Sequence, residues 1–305
     1  MPHLYCRYVK KKQYDKEKFM KASDFFLTEE GKKYLSIFRG KIFIIKYGGA
    51  ALENREMMKY FLEDVSEMHK HGIHVVLVHG GGKDLSQKMA EQNIPVQFEN
   101  GIRVTTLDVV KLADQVFSEL NEKICAMLVA MGCKVTSIVG GRGIYCSLLD
   151  SGRPENYVGD VKDIDEKVID WSTIPVISSI GRSHQNWESK IKEGTILNVN
   201  ADHLALFAAL ALKARKLIFI SDVNGIYGDI KNPETRYSHI TESGIQELID
   251  QGILHGGMRL KVEMALKALK GGVNKVHFLD GGIEHSLIRE IFTEQGVGTE
   301  IVHDE

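Results

Sequence analysis

The 305-residue chain carries 43% hydrophobic and 26% charged side chains, enough apolar material for one large α/β unit or two smaller lobes. A formal net charge of −2 gives no reason to expect a nucleic-acid or anionic-membrane partner. No apolar run approaches the roughly 20 residues that span a bilayer, and the charged opening MPHLYCRYVKKKQYDKEKF lacks the apolar stretch of a secretory signal. Cys6, Cys125, Cys133 and Cys146 show neither CxxC spacing nor a histidine partner, so reduced thiols in a cytoplasmic protein without a metal centre are expected.

Residues 1–21 form a basic, apolar-poor arm with little expected structure. A helix is predicted over 23–38, started by Ser23 or Asp24, with Phe25, Phe26, Leu35 and Phe38 as its apolar stripe and Gly31 as its weak point. Because this segment precedes the first core strand, its aromatics (Phe25, Phe26, Tyr34, Phe38) read as exposed and in need of a partner surface. From residue 41 a strand–helix rhythm sets in. IFII (42–45) runs into Lys46-Tyr47-Gly48-Gly49, and a helix follows with Met58, Phe61, Leu62, Val65 and Met68 on one face. VVLV (75–78) runs into HGGG (79–82). Further strands are predicted at VTSIV (135–139), IPVISSI (174–180), KLIFI (216–220) and VNKVHFL (273–279), with helices at 107–131, 163–171, 200–213, 241–251 and 258–270. The stretches 140–162 and 180–196 read as hairpins and loops at the sheet rim. Continuous apolar strands alternating with helices imply an α/β three-layer sandwich around a mostly parallel central sheet, preceded by the N-terminal helix.

Two consecutive strands thus discharge into glycine clusters at the end where parallel sheets bind ligands. Glycine lets backbone N–H groups approach a phosphate, and a following helix N-terminus adds partial positive charge; tight βα turns would also explain one such cluster. Lys46 ends the first strand, and Lys261 lies in a second Gly-rich entry, Gly256-Gly257-Met258-Arg259-Leu260-Lys261. Two fixed ammonium groups suit a phosphoryl group in transfer, where catalysis is mostly positioning and charge neutralisation. Lys83 competes by proximity to HGGG but reads better as a helix-surface lysine. Asp202, in Asn198-Val199-Asn200-Ala201-Asp202, is either a helix cap or the carboxylate that holds both lysines. Ser221-Asp222-Val223-Asn224-Gly225-Ile226-Tyr227 ends another strand at the ligand rim and suits a nucleotide base or ribose. His79 is not in an obvious base position. Walker P-loop, strand-linked GxGxxG, HExxH and GxSxG motifs are absent, which disfavours P-loop kinases and NAD-type Rossmann enzymes.

As a set, KYGG, HGGG, NGIRVT (100–105), YVGDV (157–161), NVNAD, SDVNGIY and GGMRLK resemble the amino acid kinase family in order and rough spacing over about residues 40–305. NGIRVT, YVGDV and NVNAD are most similar to its N-acetyl-L-glutamate kinases. The resemblance implies phosphorylation of the γ-carboxylate of N-acetyl-L-glutamate by ATP, with Mg²⁺ held mainly by the phosphates, as an early step of arginine biosynthesis. It implies that Lys46 and Lys261 bracket the phosphoryl group, organised by Asp202, with Gly48, Gly49, Gly81 and Gly82 as backbone donors. Arg103 would clamp the acceptor's α-carboxylate, Asn198 and Asn200 would bind the acetylamino acid, and Asp222, Gly225 and Tyr227 would lie near the nucleotide. Residues 1–39 would then serve oligomerisation, 40–196 the acceptor and 197–305 the nucleotide, on one continuous sheet. Similarity to arginine-sensitive members further implies a homo-hexamer, a trimer of dimers, inhibited by L-arginine bound at Tyr34, His277, Glu290 and Gly296. Asp280-Gly281-Gly282 departs from the family's DGR, and IGRSHQNWESK (180–190) is unusual beside it. The rival readings are a kinase for N-acetyl-aminoadipate, a non-catalytic arginine-sensing domain, and a redox Rossmann enzyme.

Overall fold

The computed structural model describes residues 6–8, 20–48, 52, 54–99, 101–254 and 256–304. Gly49, Asn100 and most of the basic arm therefore lie outside the described residues.

The chain begins with a short strand, β1 (Cys6–Tyr8), and two helices, α1 (Ala22–Phe25) and α2 (Glu29–Phe38). The single helix predicted over 23–38 is thus broken, and it starts at Ala22 rather than at Ser23 or Asp24. Thr28 causes the break: its hydroxyl accepts the Gly31 N–H and begins α2 anew. Gly31 is there for closeness, since a Cβ would stand 2.4 Å from the Phe25 carbonyl oxygen. The aromatics expected to be exposed are mostly buried in this chain's own core. Phe26 meets Phe292 edge-on at 5.0 Å, and Phe38 packs on Phe43 and Phe292. Only Tyr34 is half-buried; Leu27 and Ile37 are the exposed apolar side chains of this region.

Next come β2 (Ile42–Tyr47), α3 (Arg55–Lys70), β3 (His74–His79), α4 (Gly82–Glu91), the hairpin β4 (Phe98–Glu99) and β5 (Ile102–Arg103), and the long α5 (Leu107–Ala130). They are followed by β6 (Val135–Ile138), β7 (Ile144–Leu148), β8 (Val158–Ile164), β9 (Ile174–Ser178), β10 (Ile180–Ser183), β11 (Ile196–Val199) and α6 (Ala201–Ala211). The chain closes with β12 (Lys216–Ser221), β13 (Ile226–Tyr227), β14 (Arg236–Thr241), α7 (Glu242–Asp250), α8 (Gly256–Lys270), β15 (Lys275–Asp280), α9 (Ser286–Ile291) and β16 (Thr299–Val302).

Among the described residues the main sheet runs β1-β14-β16-β15-β12-β2-β3-β9-β6, with β13 on β14. The run β15-β12-β2-β3-β9-β6 is parallel throughout. Alternation along β2 decides which layer each side chain joins. Phe43, Ile45 and Tyr47 face the core formed with α2, α3, α5 and α9, whereas Ile44 faces the core formed with α6, α7 and α8. Lys46, two residues on, shares the side of Ile44.

The segments read as hairpins and loops at the rim do form antiparallel pairs, β7–β8 and β10–β11, and these close into a small barrel in the order β10-β11-β8-β7. Its strands approach so tightly that glycine is required. A Cβ on Gly181 would stand 2.3 Å from Cys146 Sγ, and one on Gly159 would stand 2.9 Å from Leu197 Cβ. The helix predicted at 163–171 is not formed. Ile164 ends β8 in the barrel core, and only a single turn at 166–168 follows, capped by Asp165. IPVISSI divides at Ser179, sending β9 to the main sheet and β10 to the barrel. Among the described residues no helix is long and apolar enough to cross a membrane.

Candidate active site

At the carboxyl ends of β2 and β3 a cleft of about 630 Å³ opens between the barrel, the β4–β5 hairpin and α8. Because Lys46 points to the α6–α8 side, it reaches Asp202, its Nζ 2.8 Å from Oδ1. Lys261, on the first turns of α8, reaches the other carboxylate oxygen at 3.6 Å. The two readings of Asp202 are thereby resolved. Asn200 caps α6, its Oδ1 accepting the N–H groups of Asp202 and His203 at 2.9 and 3.1 Å, so the Asp202 carboxylate turns to the lysines. Burial alone would raise this carboxyl, but Lys46 and Lys261 outweigh it and hold it below the ordinary carboxylate range. Burial draws the Lys261 ammonium down, opposed by Asp202. One carboxylate thus holds two ammonium groups together, and the triad carries a net positive charge.

The glycines explain themselves by contact. A Cβ on Gly48 would stand 2.7 Å from Lys46 Nζ, so glycine lets the lysine fold back over the strand end. A Cβ on Gly81 would stand 2.6 Å from the Phe117 ring. Gly48, Gly81 and Gly82 all line the cleft. Arg103, on strand β5 of the hairpin, lines it too and is mostly buried. Its Nη2 donates to Gly82 O at 2.8 Å and Ser86 Oγ at 2.7 Å, and its guanidinium lies 4.8 Å from the Phe98 ring centroid. Asn198 and Asn200 complete the wall, Asn198 donating to Thr105 Oγ1 at 3.2 Å. The sequence reading passed over Ser86, Thr105 and Phe98, whose types carry no chemical signal and whose places depend on how the hairpin meets α4.

Asp222, Gly225 and Tyr227 do not line this cleft. They lie beyond the end of β12, where Tyr227 belongs to β13. Gly225 has φ +90°, and a Cβ there would stand 2.3 Å from Thr299 Oγ1, which gives it a packing duty. Asp222 connects to the cleft through Lys83, 3.8 Å away. Lys83 stands exposed on the first turn of α4, as the sequence suggested, and it also lines the cleft. His79 is fully buried, its ring nitrogens within hydrogen-bond reach of Gly80 O and Asn121 Nδ2, and burial pushes it down to about 4; it does not line the cleft.

A second cavity, of about 380 Å³, gathers Tyr34, His277, Glu290 and Gly296 with Lys216, Lys275 and Glu300. Glu290 is engaged within its own chain. It is buried, bonded to His277 Nδ1 at 2.9 Å, and accepts the N–H groups of Val297 and Gly298. Burial pushes the Lys216 amine down to about 7, and its Nζ lies 2.8 Å from His277 Nε2.

The sequence model of the amino acid kinase family matches residues 41–280. Acetylglutamate kinase from Halothermothrix orenii is 35% identical over 90% of this chain and 96% of its own length. The crystal structure of smu.665 from Streptococcus mutans is 30% identical, covers 86% of this chain and 99% of its own, and superposes with a TM-score of 0.69. N-acetylglutamate synthase from Neisseria gonorrhoeae, complexed with coenzyme A and N-acetyl-glutamate, shares the fold at 23% identity and a TM-score of 0.77; the match covers 90% of this chain and 62% of the synthase. With the lysine-bracketed carboxylate under its glycine turns, and with this match over most of its length, the chain belongs to the amino acid kinase family.

Proposed function

We propose that this chain transfers the γ-phosphoryl group of ATP to the γ-carboxylate of N-acetyl-L-glutamate. The observation that carries the reading is the shared grip of Lys46 and Lys261 on Asp202 beside Gly48 and Gly81. The kinases named for this acceptor, similar across nine-tenths of the chain, support it.

The chemistry matches the residues. An acceptor carboxylate has a reference pKa near ~4.3 and is already ionised at neutral pH, so no base has to act. Its oxygen forms a bond to the γ-phosphorus as the bond to the β-phosphate oxygen breaks, and ADP leaves with that electron pair. Charge builds on the phosphoryl oxygens and the leaving oxygen, where Lys46, Lys261 and the backbone N–H groups of the glycine turns neutralise it without reorganising. Asp202 keeps the two ammonium groups fixed. Mg²⁺ brought by ATP would be held mainly by the phosphates and would supply further charge neutralisation there, while Asp202 stays with the two lysines. Arg103 clamps the α-carboxylate of the acceptor, and Asn198 and Asn200 hold its amide. Residues 40–196 act chiefly on the acceptor and 197–305 on the nucleotide, with Asp222, Gly225 and Tyr227 at its outer edge.

The same reading places the enzyme in the cytoplasm, as a hexamer under feedback inhibition by L-arginine in the second cavity. Support for the effector lies in the convergence there of Tyr34, His277, Glu290 and Gly296. Glu290 is committed to His277 and two backbone N–H groups, and the more exposed Glu300 to His239 and Lys275, so a guanidinium would exchange with Lys275 at Glu300. Exposed Leu27 and Ile37, not the buried phenylalanines, offer the contact between dimers. A coupled ADP-release assay with N-acetylated aspartate, glutamate and aminoadipate tests the acceptor. Turnover that favours aminoadipate would replace N-acetyl-L-glutamate, and turnover with none would remove the kinase reading.

A further inference from the structure

Lys83 lies on the second position of α4, immediately after the glycines that follow β3. Its ammonium nevertheless stands 3.8 Å from Asp222 Oδ2, just past the end of β12. These two strands are not neighbours: the sheet order is β12-β2-β3. Adjacent strands lie roughly 4.8 Å apart, so about 10 Å separates β3 from β12. Register places Tyr47 of β2 opposite both His79 and Ile220. A side chain that leaves the β3 side and reaches Asp222 must therefore cross the open end of β2, which is Gly48. Gly48 is also where Lys46 folds back, its ammonium 2.7 Å from the place a Cβ would take. Lys46, Gly48 and Lys83 line one continuous wall.

The charges make the position meaningful. Lys46 and Lys261 share Asp202, so the buried triad offers one net positive charge, whereas the phosphates of ATP bring several negative ones. Lys83 and Asp222 are both about half exposed, with side-chain accessibilities of 54% and 46%, so their attraction is screened and weak. A polyphosphate entering over Gly48 presents more charge to Lys83 than Asp222 does, at a helix start whose N–H groups favour anions.

We propose that Lys83 is a third phosphate-binding lysine of the active site, held by Asp222 across the end of β2 and passed to the terminal phosphates when the nucleotide enters. This rests on the kinase reading for the identity of the ligand. Lys261, by contrast, is fixed from below and does not have to move.

The test is calorimetric binding of a non-hydrolysable ATP analogue with Mg²⁺ to the full chain, alongside steady-state kinetics. Lys83→Met should weaken nucleotide binding and raise the KM for ATP roughly tenfold, the value of one lost charge-assisted bond. The KM for N-acetyl-L-glutamate should stay within about twofold. Lys83→Arg should recover most of the affinity, which a merely structural lysine would not require. Because the side chain is more than half exposed, thermal unfolding should be unchanged; if Lys83→Met melts early, Lys83→Gln takes its place. Nucleotide affinity unchanged in the charge-removing variant, or a loss confined to the acceptor KM, overturns the proposal. Either result leaves the kinase reading intact, whereas a wild-type chain that binds the analogue but phosphorylates no acceptor sinks that reading alone.

Discussion

Asn200 accepts the backbone N–H of Asp202 at 2.9 Å, and that single bond separates the cap of α6 from the carboxylate that pairs with Lys46 and Lys261. Two polar residues two positions apart thus divide two tasks that either could have performed. Replacing Lys46 or Lys261 by alanine should lower kcat by roughly 100-fold or more, because each supplies a fixed charge to the transferring group. Single-turnover ADP formation measures it. A variant with near-normal turnover would remove that lysine from the chemistry.

Arg103→Ala should raise the KM for the acceptor, with ATP little affected. The guanidinium donates to Gly82 O and Ser86 Oγ, so its charge is aimed while it is anchored to α4. Arg103→Lys should not rescue it, since a point ammonium cannot hold those bonds and a carboxylate together. Steady-state kinetics with each substrate varied in turn decides this, and an unchanged acceptor KM assigns the arginine to structure.

A buried pair far from the reaction should make stability depend on pH. His285 Nδ1 lies 2.5 Å from Asp64 Oδ1, tying the start of α9 to the middle of α3. Burial raises the Asp64 carboxyl to about 6, against the pull of His285. Burial would lower His285, but Asp64 outweighs it and raises the imidazole. Both groups therefore hold protons to higher pH when folded than when unfolded. Their contribution is complete at acid pH and is lost as pH rises, through about 6 for Asp64 and beyond the ordinary histidine value for His285. Denaturant midpoints from pH 4 to 9 should fall more steeply, or rise less, for the wild type than for Asp64→Asn paired with His285→Gln. His285→Ala alone should cost about 3 kcal/mol, because it strands the buried carboxylate.

On the proposed feedback inhibition by L-arginine, Tyr34→Ala should raise the arginine concentration for half-inhibition by roughly tenfold, the worth of one good contact, while kcat is kept. Inhibition curves at saturating substrate show it, and unchanged sensitivity would move the effector elsewhere. Removing residues 1–36 is a poor probe of the effector site. It strips Phe25, Phe26 and Leu35 from the core and uncovers Phe292, so the truncated chain should melt well below the intact one.

The central sheet was legible because β2, β3, β9, β12 and β15 are buried on both faces and read as unbroken apolar runs. The barrel was not. Its strands mix apolar positions with Gly, Ser and charged residues, and closeness rather than hydrophobicity holds Gly159 and Gly181 in place. Ile164, Val168 and Ile169 recur at helical spacing, yet Ile164 belongs to a strand, so periodicity misled where the element was short. In the site, Lys46, Asp202 and Lys261 were readable from glycines and strand ends, but the cross-sheet reach of Lys83 depends on strand order, which no local pattern encodes. Burial of Phe26 depends likewise on the distant Phe292.

The position of β2 between β3 and β12 has a consequence for the chain as it leaves the ribosome. β3 follows β2 closely, but β12 ends only at Ser221, so one edge of the innermost strand stays without its partner until most of the protein has been made. That edge is flat and apolar, and it carries a lysine whose counter-charge at Asp202 is also still to come. A nascent chain stalled before residue 200 therefore displays its future centre as an open template for other strands. Chaperone dependence and aggregation should be greatest in that interval of synthesis, and should end when β12 docks.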